Sequence, residues 1–311
     1  MILVTGASGH LGKSLASALL ANGNPVRILV DKNNPHIDGA EIVKGNLLNR
    51  ESLKTAVYGI DTIYHLAAMV DYGQVNKQLM YNVNVTGTKN LLSVSKASRF
   101  IYMSSTSVYG NKLSENPATP ATKCNPSTYY GITKMLAEKL VIGSKGVVLR
   151  APVIFGNGFN GPFLELMKML ESKKMLIIGH GTNRLQWIHI DDLLQALKLV
   201  MEKGISGEVY LAAGSDIITQ KQLYSILSNA MGVASPSKSV PLWLAYALAY
   251  AQKTASLFTK KSPKIKLEYL RRITSDRTFD ISKAQKDLGY NPRTSYAKWA
   301  TELAHAYGRQ H

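Results

Sequence analysis

The chain has 311 residues, 45% hydrophobic and 18% charged, a balance that suits a sizeable globular core and excludes disordered and fibrous classes. Its lone cysteine, Cys124, excludes an intramolecular disulfide and a Cys-cluster metal site, and fits a reducing compartment. The 37 Lys+Arg against 20 Asp+Glu leave a net charge of +17. That excess suits a solvated basic surface or a dock for an anionic membrane or substrate; no nucleic-acid motif accompanies it, so no nucleic-acid partner is expected.

In chain order, the first 155 residues alternate short apolar runs with longer helical patterns, the mark of a parallel α/β sheet. Strands are predicted at 2–5, 26–30, 41–44, 62–66, 100–104 and 147–150. Leu11, Leu15, Ala18 and Leu19 repeat at helical spacing until Gly23, and further helices are predicted at 81–96 and 127–142. After Gly156 the alternation loosens. Helices are predicted at 163–173, 191–203, 219–231, 242–258, 282–288 and 296–307, with one more strand at 209–212. The predicted fold is a Rossmann-type doubly wound parallel sheet over 1–155, with a smaller, mostly helical C-terminal substrate lobe over 156–311. No disordered linker divides the chain, so the lobe is not expected to be independent, and some of its segments should return to the sheet. The sequence enters a strand at once, without a signal-peptide pattern, and no run reaches the roughly 18 apolar residues of a spanning helix. The expected address is the cytoplasm, or its membrane periphery.

Between the first strand and the first helix stand Gly6, Ser8, Gly9, His10, Leu11 and Gly12. Such a loop needs a residue that tolerates positive φ, a backbone that a pyrophosphate can approach, and close helix–strand packing. Its helix amides then face the phosphates. Asp31 ends the second strand, where a carboxylate accepts bonds from ribose hydroxyls and repels a 2′-phosphate. NAD is therefore expected over NADP, although Arg27 and Lys32 soften the preference.

Tyr130 and Lys134 are four apart on a predicted helix and share a face, whereas Tyr129 points elsewhere. A phenol titrates near 10. An ammonium about 4 Å away favours phenolate by roughly 4 kcal/mol at an effective dielectric near 20, and desolvation opposes the shift. A tyrosine so poised can take a proton from an alcohol as hydride leaves its carbon. The upstream strand ends in Ser104, Ser105, Thr106 and Ser107, which offer hydroxyls to a substrate oxygen. The seven histidines show no ligand spacing, so no metal is expected; His189, near Asp191 and Asp192, reads as part of a strand-to-helix turn.

With these motifs in place, the chain resembles the extended short-chain dehydrogenase/reductase family, also called the NAD-dependent epimerase/dehydratase superfamily. The resemblance runs nearly end to end, through residues 4–12, 61–68, 82–92, 100–110, 130–134, 149–156, 187–192 and 279–292. It implies Ser105 as the catalytic serine, Tyr130 as acid/base, and Lys134 as a further holder of the nicotinamide ribose. It implies Leu66, Ala67 and Ala68 along the cofactor. Asn46, with Leu47 beside it, stands where many members carry an aspartate near the adenine. It also implies a homodimer through the helices at 81–96 and 127–142.

The departures narrow the chemistry. Sugar-nucleotide dehydratases carry an Asp-Glu pair where this chain has Thr106-Ser107. Sugar-nucleotide epimerases place an arginine where this chain has Leu185, and an asparagine where it has Val153. The neighbouring Arg184 should face the other way on an extended segment. These apolar positions favour the 3β-hydroxysteroid dehydrogenase-like branch and a mainly apolar small-molecule substrate, contacted by Ser105, Val153 and Leu185. The alternatives are a sugar-nucleotide epimerase with tightly bound NAD and a non-catalytic NAD(P)-sensing protein. The apolar run at 241–258, followed by the basic stretch 260–277 with Lys260, Lys261, Lys264 and Lys266, reads either as lobe core or as a flank contacting anionic membrane.

Overall fold

The computed structural model describes residues 1–70, 76–159, 161–259 and 267–308. Lys260, Lys261, Lys264 and Lys266 lie outside the described residues.

Seven strands form the central sheet: β1 (Ile2–Thr5), β2 (Val26–Val30), β3 (Glu41–Lys44), β4 (Thr62–His65), β5 (Arg99–Ser105), β6 (Val147–Ala151) and β7 (Val209–Leu211). Their order is β3-β2-β1-β4-β5-β6-β7, and every pairing is parallel. All residues of β1 and β6 are buried, as expected of strands covered on both faces. The order reverses between β1 and β4, which opens a crevice at their C-terminal ends.

The sheet helices are α1 (His10–Ala21), α2 (Arg50–Val57), α3 (Lys77–Tyr81), α4 (Gly87–Val94) and α5 (Tyr129–Gly143). The later helices are α6 (Gly161–Glu171), α7 (Ile190–Lys203), α8 (Gln220–Met231), α9 (Leu242–Thr259), α10 (Leu267–Ile273), α11 (Ser282–Leu288) and α12 (Tyr296–Gly308). Leu15, Leu193, Leu197 and Leu288 pack with Val4 and Ile28 on one sheet face. Leu53, Leu91, Ala137 and Val141 pack with Leu3 and Ile63 on the other. Thus α7, α11 and β7, all beyond residue 155, belong to the sheet's layers. The lobe has its own core, in which Phe155 stacks on Tyr296 at 4.9 Å and meets Trp299 at 4.8 Å. Asp192 ties the tail to α7 by accepting from the Arg293 and Thr294 amides at 2.9 and 3.1 Å.

Two expectations change in detail. The helix predicted at 81–96 is α3, a π-helical turn (Asn82–Thr86) and α4. The π turn carries Asn84, whose buried amide bonds both the N–H and the carbonyl of Met69. Helix α2 was not anticipated, because only Leu53 and Ala56 of its residues are buried. Its start is set by Asn49, which accepts from the Glu51 and Ser52 amides, a capping signal.

Candidate active site

The loop after β1 enters the crevice. Gly6 has φ +77°, and a Cβ there would lie 2.7 Å from the Ala67 nitrogen after β4. A Cβ on Gly12 would collide with the Gly6 carbonyl oxygen. These two glycines are demanded by the protein itself. Gly9 differs: its φ is −87° and the nearest atom to a Cβ is the Gly6 oxygen, 3.4 Å away. It caps α1 with no side-chain bond and with no acidic residue in the first turn, so the N-terminal amides and their partial positive charge are left for an anion. Ser8, Gly9 and His10 are exposed, and Leu11 is half-buried.

At the ends of β2 and β3, the Asn46 amide donates to Asp31 at 3.2 Å. Asp31 and Lys32 are exposed, and the Leu47 carbonyl accepts from Asn90 on α4 at 2.9 Å. Past β4, half-buried Leu66, Ala67 and Ala68 follow His65. Here a buried polar chain begins that sequence reasoning missed. Thr88 Oγ1 donates to the Asn84 carbonyl, so it accepts from His65 Nε2 at 2.9 Å. His65 Nδ1 therefore accepts from Thr5 Oγ1 at 2.7 Å, and Thr5 in turn accepts from the Ala67 amide. Asn84 extends the chain to Thr133, which bonds the Tyr130 carbonyl.

Burial, and secondarily the Lys134 charge, push His65 down to about 3. An unfolded histidine binds its proton near 6.5, so between these values the unfolded state holds more protons. His65 therefore makes stability fall as pH drops through this window, by at most about 1.4 kcal/mol per pH unit. Urea denaturation between pH 7 and 5 should show a shallower loss in His65→Asn than in the wild type. Equal slopes would refute the assignment.

Tyr130 and Lys134 lie on the first two turns of α5, whose start is fixed by Thr128 accepting from the Gly131 amide. Gly131 explains how α5 meets the loop after β5, because a Cβ there would lie 2.6 Å from the Ser107 carbonyl. Lys134 is 2% exposed. Its Nζ donates to the Met103 carbonyl on β5 at 2.7 Å and sits 4.6 Å from the Tyr102 ring centroid and 5.9 Å from that of Tyr130. Burial pushes its ammonium down to about 7, against support from Glu138. Ser105 closes β5 and caps the short 3₁₀ turn Thr106–Tyr109; its Oγ accepts from the Ser107 amide at 3.1 Å and donates to Ser107 Oγ at 3.0 Å. The three predicted residues thus converge where α5 packs on the end of β5. Tyr129 is turned aside, its ring 5.6 Å from Lys77 Nζ.

Two further groups brace this corner. Glu138, one turn past Lys134, binds buried Arg150 through both oxygens at 2.9 and 2.7 Å. Arg277 donates to the carbonyls of Thr106 at 3.1 Å and Gly110 at 2.5 Å, clamping the turn that follows Ser105. The signal for Glu138 was its i,i+4 spacing from Lys134; Arg277 left none.

In the lobe, Leu185 is buried and half-buried Val153 packs against the same cluster. Arg184 points outward to Asp276, at 3.3 Å, as the extended segment predicts. His189 Nδ1 accepts from the Asp191 amide and caps α7. No group of three or more metal-ligating side chains occurs among the described residues.

Residues 2–213 match the family model described as "NAD dependent epimerase/dehydratase family". The chain belongs to that family. It is an NAD-dependent enzyme of the extended short-chain dehydrogenase/reductase type. Three curated relatives span it nearly whole. Sterol demethylase protein B of Methylococcus capsulatus is 28% identical, over 97% of each chain. A 4-hydroxy-2-methyl-3-oxo-4-farnesyl-3,4-dihydroquinoline-1-oxide ketoreductase of Stigmatella aurantiaca is 27% identical, over 97% of this chain and 95% of that protein. A 3 beta-hydroxysteroid dehydrogenase/Delta 5-->4-isomerase of Mycobacterium tuberculosis is 28% identical, over 98% and 90%. Among solved structures, UDP-glucuronic acid 4-epimerase from Bacillus cereus in complex with NAD shares the fold, with a TM-score of 0.77, 24% identity and 99% coverage of both chains.

The residues present fit a dinucleotide. The cradle of Gly6, Gly9 and Gly12 and the uncapped amides of α1 suit its pyrophosphate, and Asp31 with Asn46 suits its adenosine end. The two kinds of glycine separate in an expected result. Gly9→Val should weaken NAD binding about tenfold or more, by titration, while the cofactor-free melting temperature holds. Gly12→Ala should lower that melting temperature itself.

Proposed function

We propose that this enzyme interconverts a secondary alcohol and a ketone on a mainly apolar, lipid- or steroid-like small molecule. The observation that carries the substrate class is the pair Arg184 and Leu185. A diphosphate clamp needs a cation at the second position, yet Leu185 is buried in apolar core and Arg184 is committed outward to Asp276. The named activities of three relatives, on a sterol, a farnesylated quinoline oxide and a steroid, support the same reading.

In the oxidative direction, Ser105 and Tyr130 hold the substrate hydroxyl and Tyr130 takes its proton. Ser107 orients Ser105, and Lys134 supplies the charge that favours the phenolate. Bound NAD would supply the hydride acceptor for the substrate carbon, or NADH the donor in reverse. Half-buried Val153 would give the substrate side an apolar character, and Leu185, turned into the lobe core, offers it no cation. Thr106 and Ser107 offer no carboxyl pair for elimination. The chain acts in the cytoplasm, as a homodimer through α3, α4 and α5, which leave Leu79, Tyr81 and Ile142 partly exposed. A monomer in sedimentation at micromolar concentration would remove the dimer.

The test is NADH absorbance with a panel of steroid and lipid alcohols set against UDP- and dTDP-sugars. Growth of NADH on an apolar alcohol is expected. Conversion of a nucleotide sugar without net NADH would hand the site to epimerisation.

A further inference from the structure

Helix α9 is built inside out. Its inner face is small: Ala245 and Ala249 are buried against Leu270 of α10, with Ile178 and Val240 beside them. Its outer face carries the large apolar side chains. Trp243 is 71% exposed, and Leu248 and Tyr250 are each 48% exposed, with Ala247 and Ala251 also exposed on the same arc. Trp243, Ala247, Tyr250 and Ala251 recur at i, i+4, i+7 and i+8, which is one continuous stripe. An apolar stripe turned to water marks an interaction site rather than a core.

The charge around the stripe points to its occupant. Residues 217–267 contain seven lysines and no Asp or Glu. Of these, Lys238 precedes the short strand that leads into α9 and Lys253 lies on the helix; both are exposed. Arg271 of α10 reaches the stripe's edge, donating to the Tyr250 hydroxyl at 3.4 Å. A helix with indole and phenol groups on an apolar face and cations at its margins matches an anionic lipid interface, where aromatic rings sit at headgroup level and lysines meet phosphates. No helix among the described residues is long and apolar enough to cross a membrane, so α9 would lie in the interface plane.

We propose that the outer face of α9 docks this enzyme on an anionic membrane surface, the source of an apolar substrate. The docking itself does not depend on the alcohol–ketone reading, because it is measured without substrate. The experiment is co-sedimentation of the full chain with vesicles of phosphatidylcholine alone or mixed with phosphatidylglycerol, together with tryptophan emission. Binding should require phosphatidylglycerol, weaken with salt and shift the emission to the blue. The double variant Trp243→Gln/Leu248→Gln should bind about tenfold or more weakly while NAD still raises its melting temperature, which shows that it is folded. Three results overturn the proposal: no binding to anionic vesicles at low salt, equal binding by the folded double variant, or a wild-type dimer in sedimentation that the variant loses. The last would assign the stripe to a second copy of the chain.

Discussion

Tyr130→Phe is expected to lower kcat about 10³-fold, within the usual range for removal of a general acid/base, while the NAD dissociation constant stays close to that of the wild type. The phenol hydroxyl is the only atom removed, and α5 keeps its Thr128 cap and the close seat of Gly131 on the Ser107 carbonyl. Lys134→Met should fall by a comparable factor, for a different reason. Its Nζ bridges α5 to the Met103 carbonyl and faces the Tyr102 and Tyr130 rings. Burial lowers its ammonium to about 7, so the Tyr130–Lys134 pair sheds its first proton near neutrality. The form left holds one proton between phenol and amine, and it reaches phenolate by passing that proton to nitrogen. Oxidation should therefore rise as pH climbs through about 7. In Lys134→Met no nitrogen can take the proton, and the acid limb should move upward toward the ordinary phenol value near 10. A pH profile of kcat/KM for both proteins checks this; an unmoved limb in Lys134→Met would mean that the lysine does not act on the phenol.

How the sequence conveyed this site depends on the reach of each interaction. Tyr130 and Lys134 were legible because four residues on a helix fix a shared face whatever the tertiary structure. The glycine loop was legible because its demands are local: a positive φ at Gly6 and a short distance from Gly12 back to Gly6. The parallel α/β layering followed from short apolar runs alternating with helical patterns. Arg277 was not legible. It holds carbonyls at Thr106 and Gly110, and a backbone carbonyl leaves no mark on residue identity. His65 was equally silent, because its partners Thr5 and Thr88 are remote in sequence and ordinary in type. The π turn at Asn84 escaped for a related reason: the amide is turned inward to Met69 across a strand–helix gap, and periodicity reports apolar faces only. On α9 the apolar pattern was visible, but its direction was not. Alanine inside and tryptophan outside is the reverse of the reading as lobe core.

Glu138→Leu is expected to destabilise the fold by about 3–5 kcal/mol, the range for breaking one side of a buried ion pair. Both side chains are buried, and the Glu138 oxygens meet Arg150 Nε and Nη2. Burial works against the Arg150 charge, and the bonds and attraction of Glu138 more than offset it, raising its proton affinity. The remaining Arg150 partners are the Tyr109 hydroxyl, the Pro120 carbonyl and the Cys124 sulfur, none of them a carboxylate. Leucine would therefore strand a cation in the sheet layer directly beneath α5. Removing both charges in Glu138→Leu/Arg150→Met should recover much of the loss, because the desolvation of two ions is then avoided. Urea denaturation of the two single variants and the double variant at pH 7 gives the coupling directly. A loss below about 1 kcal/mol in Glu138→Leu, the scale of an exposed pair, would show that water reaches Arg150. The same substitution also removes the anion that supports the Lys134 ammonium. The pair with Tyr130 should then release its first proton at a lower pH, and the acid limb of oxidation should move down. Lys134→Met moves that limb up, so the two variants separate a role in holding the fold from a role in holding the proton.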